Sequence, residues 1–539
     1  MPALTIKSFG GIAPVVPPRY LADSQAQTAL NCPMWNGSLQ PLADTGSSVY
    51  ALTKSGTPQT IYRFGQDNPS DTEHWLHWTS DVDVARSQIA GDTSEWTFFT
   101  GDGAPKATYN AIALSGTDYP TVSRPMGIPA PTQAANAVVA GAVDETELVE
   151  TRVYTYTFVN KESGREIESA PAPASNSVDV RTSQSVSLTG LAAAPSGGYV
   201  VTHRRIYRST SGTFLFVAEI PVANTTYSDT VDADDLAEQL PSLNWSEPPS
   251  TLSGLTNLPN GMMAGFVGRD IYFCEPYRPH AWPVDYSQTL DYPVVGLGRM
   301  DTTLAVMTTG SPYFIQGTHP TAMAVVKSDL EQACVSKRSI VSHGGAVFYA
   351  SPDGLMMLSS GGSRIVTDNL FSFAQWQAFF KPESIHAYQQ DNQYIAFYDN
   401  GTQRGGFIYD MRSQNFILHD IYATAGFQDL QRDKLFLAYE DGSVRVWASG
   451  DVKSFVWRSK KFTMPKPLSF GWAQVEAEAY PMTMKVIADG AVVREHVVTS
   501  RNPFRLPAQG GRDYELEVSG THEVFSIAIA HSASELRDG

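Results

Sequence analysis

Apolar and polar residues alternate with a period of two along most of this chain, and the 3.6-residue period of an amphipathic helix is rare. The clearest helical candidates are ADSQAQTAL (Ala22 to Leu30) and FSFAQWQAFF (Phe371 to Phe380). Elsewhere, short β-branched and aromatic runs stop at Gly, Asp-Gly or Asn-Gly, which predicts strands joined by tight turns. The expected fold class is all-β.

The pattern divides into four regions. Residues 1–130 carry IYRF, HWLHW and EWTFFTGDGAP, read as an N-terminal β platform or partial propeller blade region. A Pro/Ala-rich stretch, MGIPAPTQAANAVVAGAV, follows and reads as an extended linker. Residues 131–250 hold this linker and then a strict alternation, Val153, Thr155, Thr157 and Val159 against Tyr154, Tyr156 and Phe158. With the later SVSLTGL, RRIYRSTSGTFLFVAEI and TTYSDTV, this is the rhythm of a small β-sandwich resembling fibronectin type III modules.

Residues 251–452 repeat one plan: an aromatic strand, a Gly-containing turn and a second strand. The turns at Asp353-Gly354, Asn400-Gly401 and Asp441-Gly442 are 47 and then 41 positions apart. Glycine is expected at each because such turns need φ > 0, and the spacing is that of propeller blades. The expectation is a β-propeller-like central domain with flanking sandwiches, the last over residues 453–539, where Asp489-Gly490 marks another hairpin.

A chain of 539 residues exceeds what one core holds, in keeping with several domains. Charged residues make up 17% and aromatic residues 11%, the balance of an ordered strand-and-turn protein. The net charge of -17 opposes a wide adhesive contact with a phosphate backbone. Cys32, Cys274 and Cys334 are odd in number and form no CxxC, so no disulfide framework is expected. The opening MPALTIKSFGG lacks a charged segment followed by an apolar run, and no apolar run approaches 18 residues, so neither a signal peptide nor a membrane span is expected. Asn36, Asn224 and Asn244 match the glycosylation triplet, which has meaning only in a secreted chain.

Candidate chemistry is sparse. His74 and His77, three apart in a strand, fall on opposite faces and make a poor metal pair. GDGAPK (Gly101 to Lys106) lacks the order of a phosphate-binding loop and reads as a hairpin turn. GLGRMD, from Gly296, lacks the third glycine of a dinucleotide fingerprint. Glu476 and Glu478 share a strand face without a convergent partner. The densest stretch, RDIYFCEPYRPHAWPVDY (Arg269 to Tyr286), offers Cys274, Glu275, His280 and Asp285 as a conceivable nucleophile and base, but Pro276, Pro279 and Pro283 favour a rigid link into the first blade. RRIYRS (Arg204 to Ser209) is the basic cluster of note, read as a solvated strand with Arg204 and Arg208 opposite Arg205. No catalytic, cofactor-binding or metal-binding residue is assigned.

Several segments carry a resemblance: SFGGIAPVVPPRYLADSQAQTALNCPMWNGSLQPL, ESAPAPAS, RRIYRSTSG, EPYRPHAWP, VSKRSIV with YASPDGL, and PFRLPAQGGRDYELEVSG. Together they resemble bacteriophage virion structural proteins, and more narrowly the nozzle or tail-tubular proteins of short-tailed phages. The resemblance implies a propeller with accessory β domains, assembled in the bacterial host cytoplasm as a six-fold ring of the virion tail. Such a ring continues the DNA channel below the portal and adaptor proteins, retains the genome, passes double-stranded DNA without specific binding, and can dock tail fibre or spike proteins. Acidity fits a wall to which DNA does not adhere. Two alternatives stand beside it: a receptor-binding, glycan-binding or glycan-degrading propeller, and a virion structural protein of the head or peripheral tail.

Overall fold

Strands dominate the computed structural model, which describes residues 3–65 and 74–536. It is 45% strand and 6% helix, in many antiparallel sheets, and the chain is therefore all-β. The helix expected near residue 371 is present as Phe373–Phe380, capped by Ser372, whose hydroxyl accepts from Gln375 N while the Gln375 side chain takes the Ser372 amide. The other helical candidate is a strand, Ala26–Leu30. Two neighbouring strands claim its backbone: Phe455–Ser459 pairs with it antiparallel and Phe416–His419 parallel. Tertiary pairing here overrides a weak local preference.

Seven sheets succeed one another. Sheet I is the antiparallel pair Thr60–Phe64 and His74–Trp78. Sheet II is the meander Asp83–Arg86, Thr97–Thr100, Lys106–Thr108 and Arg124–Pro125. Sheets III, IV, V, VI and VII begin at Ser253, Val294, Val341, His386 and Ala425, a spacing of about forty to forty-seven residues. Sheets III to VI are four-strand meanders. Sheet VII has three strands of its own and takes its fourth, Ser48–Ala51, from the N-terminal segment.

Each sheet packs on the next. Trp78 meets Phe99 between sheets I and II, with ring centroids 5.1 Å apart. Asn257 Nδ2 donates to Arg86 O across sheets II and III. Leu258, Phe273, Leu304 and Val306 share one core between sheets III and IV. Gly298 lies so close to Val347 that a Cβ would stand 2.8 Å from it, joining sheets IV and V. Phe348 meets Tyr394 between V and VI, and Tyr388 covers Gly426 between VI and VII. The succession returns to its start: Trp75 of sheet I packs on Phe427 and Phe436 of sheet VII, and the fully buried Arg63 and Asp429 pair across the same joint.

Of the three repeat turns, Gly401 and Gly442 have φ of 89° and 77°, as the turn type requires. Gly354 does not adopt positive φ. Its turn is closed by Ser351, whose hydroxyl accepts from Gly354 N, and a side chain there would meet Thr367 Oγ1 at 2.5 Å.

The expected linker is not a free spacer. Met126, Ile128, Ala135 and Ala137 are buried and Asn136–Ala140 is a strand, because small side chains let the backbone lie flat on neighbouring cores. A two-layer sandwich follows, inserted between sheets II and III. Its turn around Ser163 is fixed to sheet II: Trp96 Nε1 donates to Ser163 O, Tyr109 OH to Glu162, and the Arg165 guanidinium lies over Phe98.

The N-terminal segment, expected to belong with residues up to 130, goes elsewhere. Leu4–Ile6 pairs with Val524–Ala530, and Ala26–Leu30 joins sheet VI to Phe455–Ser459 of the C-terminal sandwich, making one ten-stranded sheet. Gly11 sits against the Phe416 backbone, where a Cβ would stand 2.4 Å from the carbonyl oxygen. Gly11→Ala is expected to cost about 1 to 3 kcal/mol, read as a lowered urea midpoint with unchanged slope.

Candidate functional site

The residues singled out in the sequence occupy structural positions. His77 is buried; its Nδ1 faces Trp75 O and its Nε2 accepts from Lys54 N, while His74 packs edge-on against Tyr119. Both His77 nitrogens are thus engaged, and no group of metal-ligating side chains occurs among the described residues. Gly101 and Gly103 take positive φ in the turn before Lys106, whose ammonium pairs with Asp102. Gly296 lies within the strand Val294–Met300. Glu476 pairs with Arg501 at the surface.

The stretch from Arg269 to Tyr286 forms a clasp over the exit of the inserted sandwich. Cys274 is buried and its sulfur accepts from Met263 N; burial pushes the thiol up to about 12. His280 is buried beside Trp245, and burial lowers it to about 3. Asp285 is exposed. Trp282 N donates to Ser246 O and its indole to Pro279 O, while Arg278 lies over Trp245. A thiol held protonated, a neutral histidine and a carboxylate out in solvent do not make an activated nucleophile.

RRIYRS is not a solvated strand. Arg204 and Arg208 are fully buried between the layers of the sandwich, and Arg205 on the other face pairs with Glu166, Glu168 and Glu219. Arg208 pairs with Asp229, which also accepts from Tyr154 OH, and Arg204 donates to Val222 O, Asn224 O and Ala192 O. Alternation placed these side chains on the correct faces. It could not show that the apolar face is lined with carbonyls and one carboxylate able to receive guanidinium groups.

What the sequence reading missed is the point where the seven sheets converge. The short segment before sheet V, VSKRSIV, projects Lys337 and Arg338 inward. Lys337 Nζ lies 2.7 Å from Asp83 Oδ2 and 3.2 Å from Asp81 Oδ2, both at the start of sheet II. Asp83 also accepts from Gly254 N of sheet III. Arg338 donates to Gln59 O, before sheet I, and to Thr424 O, before sheet VII. It also bonds Tyr388 of sheet VI, and Gly296 of sheet IV packs against Ile340 and the Lys337 stem. The segment that opens sheet V therefore reaches sheets II, IV and VI and the leads into sheets I and VII, and meets sheet III through Asp83.

Electrostatics support the clamp. Burial alone would lower the Lys337 ammonium, but the carboxylates of Asp83 and Asp81 outweigh it and hold it above its ordinary value. Burial raises Asp83 against the pull of Lys337. The available signal was an adjacent cation pair between small residues in an acidic chain.

No protein-family model matches this chain, and no curated protein matches it. Among solved structures it is similar to the extracellular domain of a putative hybrid two-component system of B. thetaiotaomicron, at 8% identity and a TM-score of 0.21 over 80% of this chain and 43% of that one. It is also similar to PorZ, a bacterial surface component of the type-IX secretion system of Porphyromonas gingivalis, at 11% identity and a TM-score of 0.24 over 93% and 86%. The chain spans less than half the length of the first of these. Likeness of this order transfers no function.

Two expectations follow. Lys337→Met should cost about 2 to 3 kcal/mol by stranding two carboxylates, and a cycle with Asp83→Asn should show coupling of about 1 kcal/mol or more; additive losses would count against the clamp. The second concerns His280 and His386, both lowered to about 3, and His419, lowered to about 4, chiefly by burial. Their folded values lie below the ordinary 6.5, so the stability they contribute is present above that pH and is lost as pH falls from there towards 3 to 4. Each should contribute a slope of up to about 1.4 kcal/mol per pH unit, and His386→Gln should flatten the profile of urea midpoint between pH 7 and 5.

Proposed function

We propose that this chain is a structural tail protein of a phage virion: its seven sheets act as propeller blades, and copies assemble into a nozzle ring that extends the DNA channel, retains the genome and lets it pass at ejection. The observation that carries the reading is the paired hub. Lys337, Arg338 and Tyr388 stand half-buried at the convergence of the sheets and are paired to neighbouring units, so they are not free cations to hold phosphate. In this reading the passage for DNA is built between copies, with this chain as a rigid segment of its wall.

Charge agrees. A net charge of -17 gives such a wall few cations to release counterions from DNA, so the duplex slides without being gripped. The side chains that looked most like chemistry serve packing instead: Cys274 and His280 in the clasp, Arg204 and Arg208 in the sandwich core. The resemblance of VSKRSIV, EPYRPHAWP and RRIYRSTSG to nozzle proteins falls on the hub, the clasp and the buried arginine strand, which are the framework of the fold.

The test is to locate the chain in purified particles by antibody-gold electron microscopy and to count copies by quantitative mass spectrometry. Gold at the tail with about six copies per particle is the expected result. Gold over the head, hundreds of copies, or absence from the particle overturns it.

A further inference from the structure

We propose that copies of this chain associate head to tail, the acid-rimmed apolar tip of the inserted sandwich of one copy seating on the basic edge of the C-terminal sandwich of the next. This rests on the ring-forming reading above and names the surfaces that make the ring.

Charge is segregated along the chain. Residues 131–250 contain 15 Asp and Glu against 7 Lys and Arg, whereas residues 453–539 contain 11 Lys and Arg against 10 Asp and Glu. Nearly half the net negative charge thus sits on under a quarter of the chain. Its exposed apolar side chains gather at one end of the inserted sandwich, on the loop between Asn136–Ala140 and Val149–Arg152 and the strands beside it. Leu148 is 88% exposed and Val143 61%, with Val138 and Val149 next to them, Asp144 on the rim and Glu145 beside it paired with Arg181. Leu148 and Val143 gain nothing from water, and side chains this exposed, grouped at one tip, mark a contact surface.

The complementary surface is the strand Ala491–Val498. It pairs on one side only, with Met482–Ala488, and exposes Val492, Arg494, Glu495 and Val497, Glu495 lying 3.9 Å from Lys485. Arg494 leans on His496, which packs on Phe504, and exposed Arg505 follows directly. At the tip Asp144, Glu147 and Glu150 leave an acidic excess around the Glu145–Arg181 pair, and at the edge Arg494 and Arg505 outnumber Glu495, so the two apolar surfaces carry an excess of opposite sign, the arrangement that steers and registers a protein contact.

One copy cannot satisfy itself. The insertion leaves the circle of sheets between II and III, and the C-terminal sandwich continues sheet VI. Sheets I and VII lie between them on one side, and IV and V on the other, so the two surfaces stand on opposite flanks. Both joints are stiff, one through Ser163, Glu162 and Arg165 and the other through a continuous sheet. Unlike surfaces on opposite flanks give a heterologous contact, which closes into a ring when each step turns by a fixed angle.

The experiment mixes full-length Leu148→Cys with full-length Val492→Cys under mild oxidation. Cys32, Cys274 and Cys334 are buried, so cross-linking reports the two introduced thiols. The expected product is a disulfide-linked pair containing one of each variant. In sedimentation, Asp144→Lys, which leaves the Glu145–Arg181 pair intact, should weaken self-association about tenfold, and Arg494→Glu in the other copy should restore it. Wild-type rings without this cross-link, and unaffected by charge reversal, overturn these surfaces and leave the ring standing. A wild-type chain that does not self-associate at any attainable concentration overturns the ring and these surfaces together.

Discussion

A short antiparallel sheet with two apolar faces needs a neighbour on each of them, and the rest of this structure depends on that requirement. A row of such sheets would leave its first and last members half exposed. Curling the row until Trp75 of sheet I meets Phe427 and Phe436 of sheet VII buries both ends at once. The closing joint also carries a fully buried ion pair, Arg63 with Asp429, whose value is specificity: a sheet arriving in the wrong register would strand a charge. Closure then creates a second demand. The starts of the first strands converge, and their backbone groups need partners away from bulk water. Two adjacent cations on one segment meet that demand, because a guanidinium can serve two carbonyls and an ammonium two carboxylates.

The same demand governs how the chain ends are used. Sheet VII has three strands in sequence order and borrows its fourth from Ser48–Ala51, so the last sheet is completed by residues made first. On the way there, the N-terminal segment lends Ala26–Leu30 to the junction of sheet VI with the C-terminal sandwich, and Phe9 and Gly10 cover Trp457. These are contacts between residues about 390 to 450 positions apart. They seal edges that would otherwise offer unpaired backbone to other chains, and they make the circle of sheets and the C-terminal sandwich one body.

Legibility in the sequence followed the range of the forces. Strand alternation and the capped helix at Phe373–Phe380 are local and can be read from a window of about a dozen residues, and the blade-like spacing needs only the positions of the turns along the chain. The strand at Ala26–Leu30 could not, since its partners lie near residues 417 and 457. The clasp at Arg269 to Tyr286 was legible as rigid because proline fixes φ whatever surrounds it. The hub was not, although VSKRSIV was visible as a segment. What makes Lys337 and Arg338 central is the arrival of Asp83, Gln59, Thr424 and Tyr388 from four other sheets. Arg204 and Arg208 failed for a related reason: charge suggests solvent, and only the folded sandwich shows Asp229 and the carbonyls that receive them.

A circle of sheets joined face to face fixes where its two sandwiches leave it. The buried ion pairs hold sheet to sheet at Arg63–Asp429 and layer to layer within the inserted sandwich at Arg208–Asp229. The insertion is riveted by an indole, a tyrosine and a guanidinium where a flexible linker would have let it swing. Its direction relative to the C-terminal sandwich is therefore fixed by the fold, so an assembly built from the two inherits its angle per subunit from the circle between them. That fixed direction follows from the requirement that set the circle in the first place: no sheet may keep a bare face.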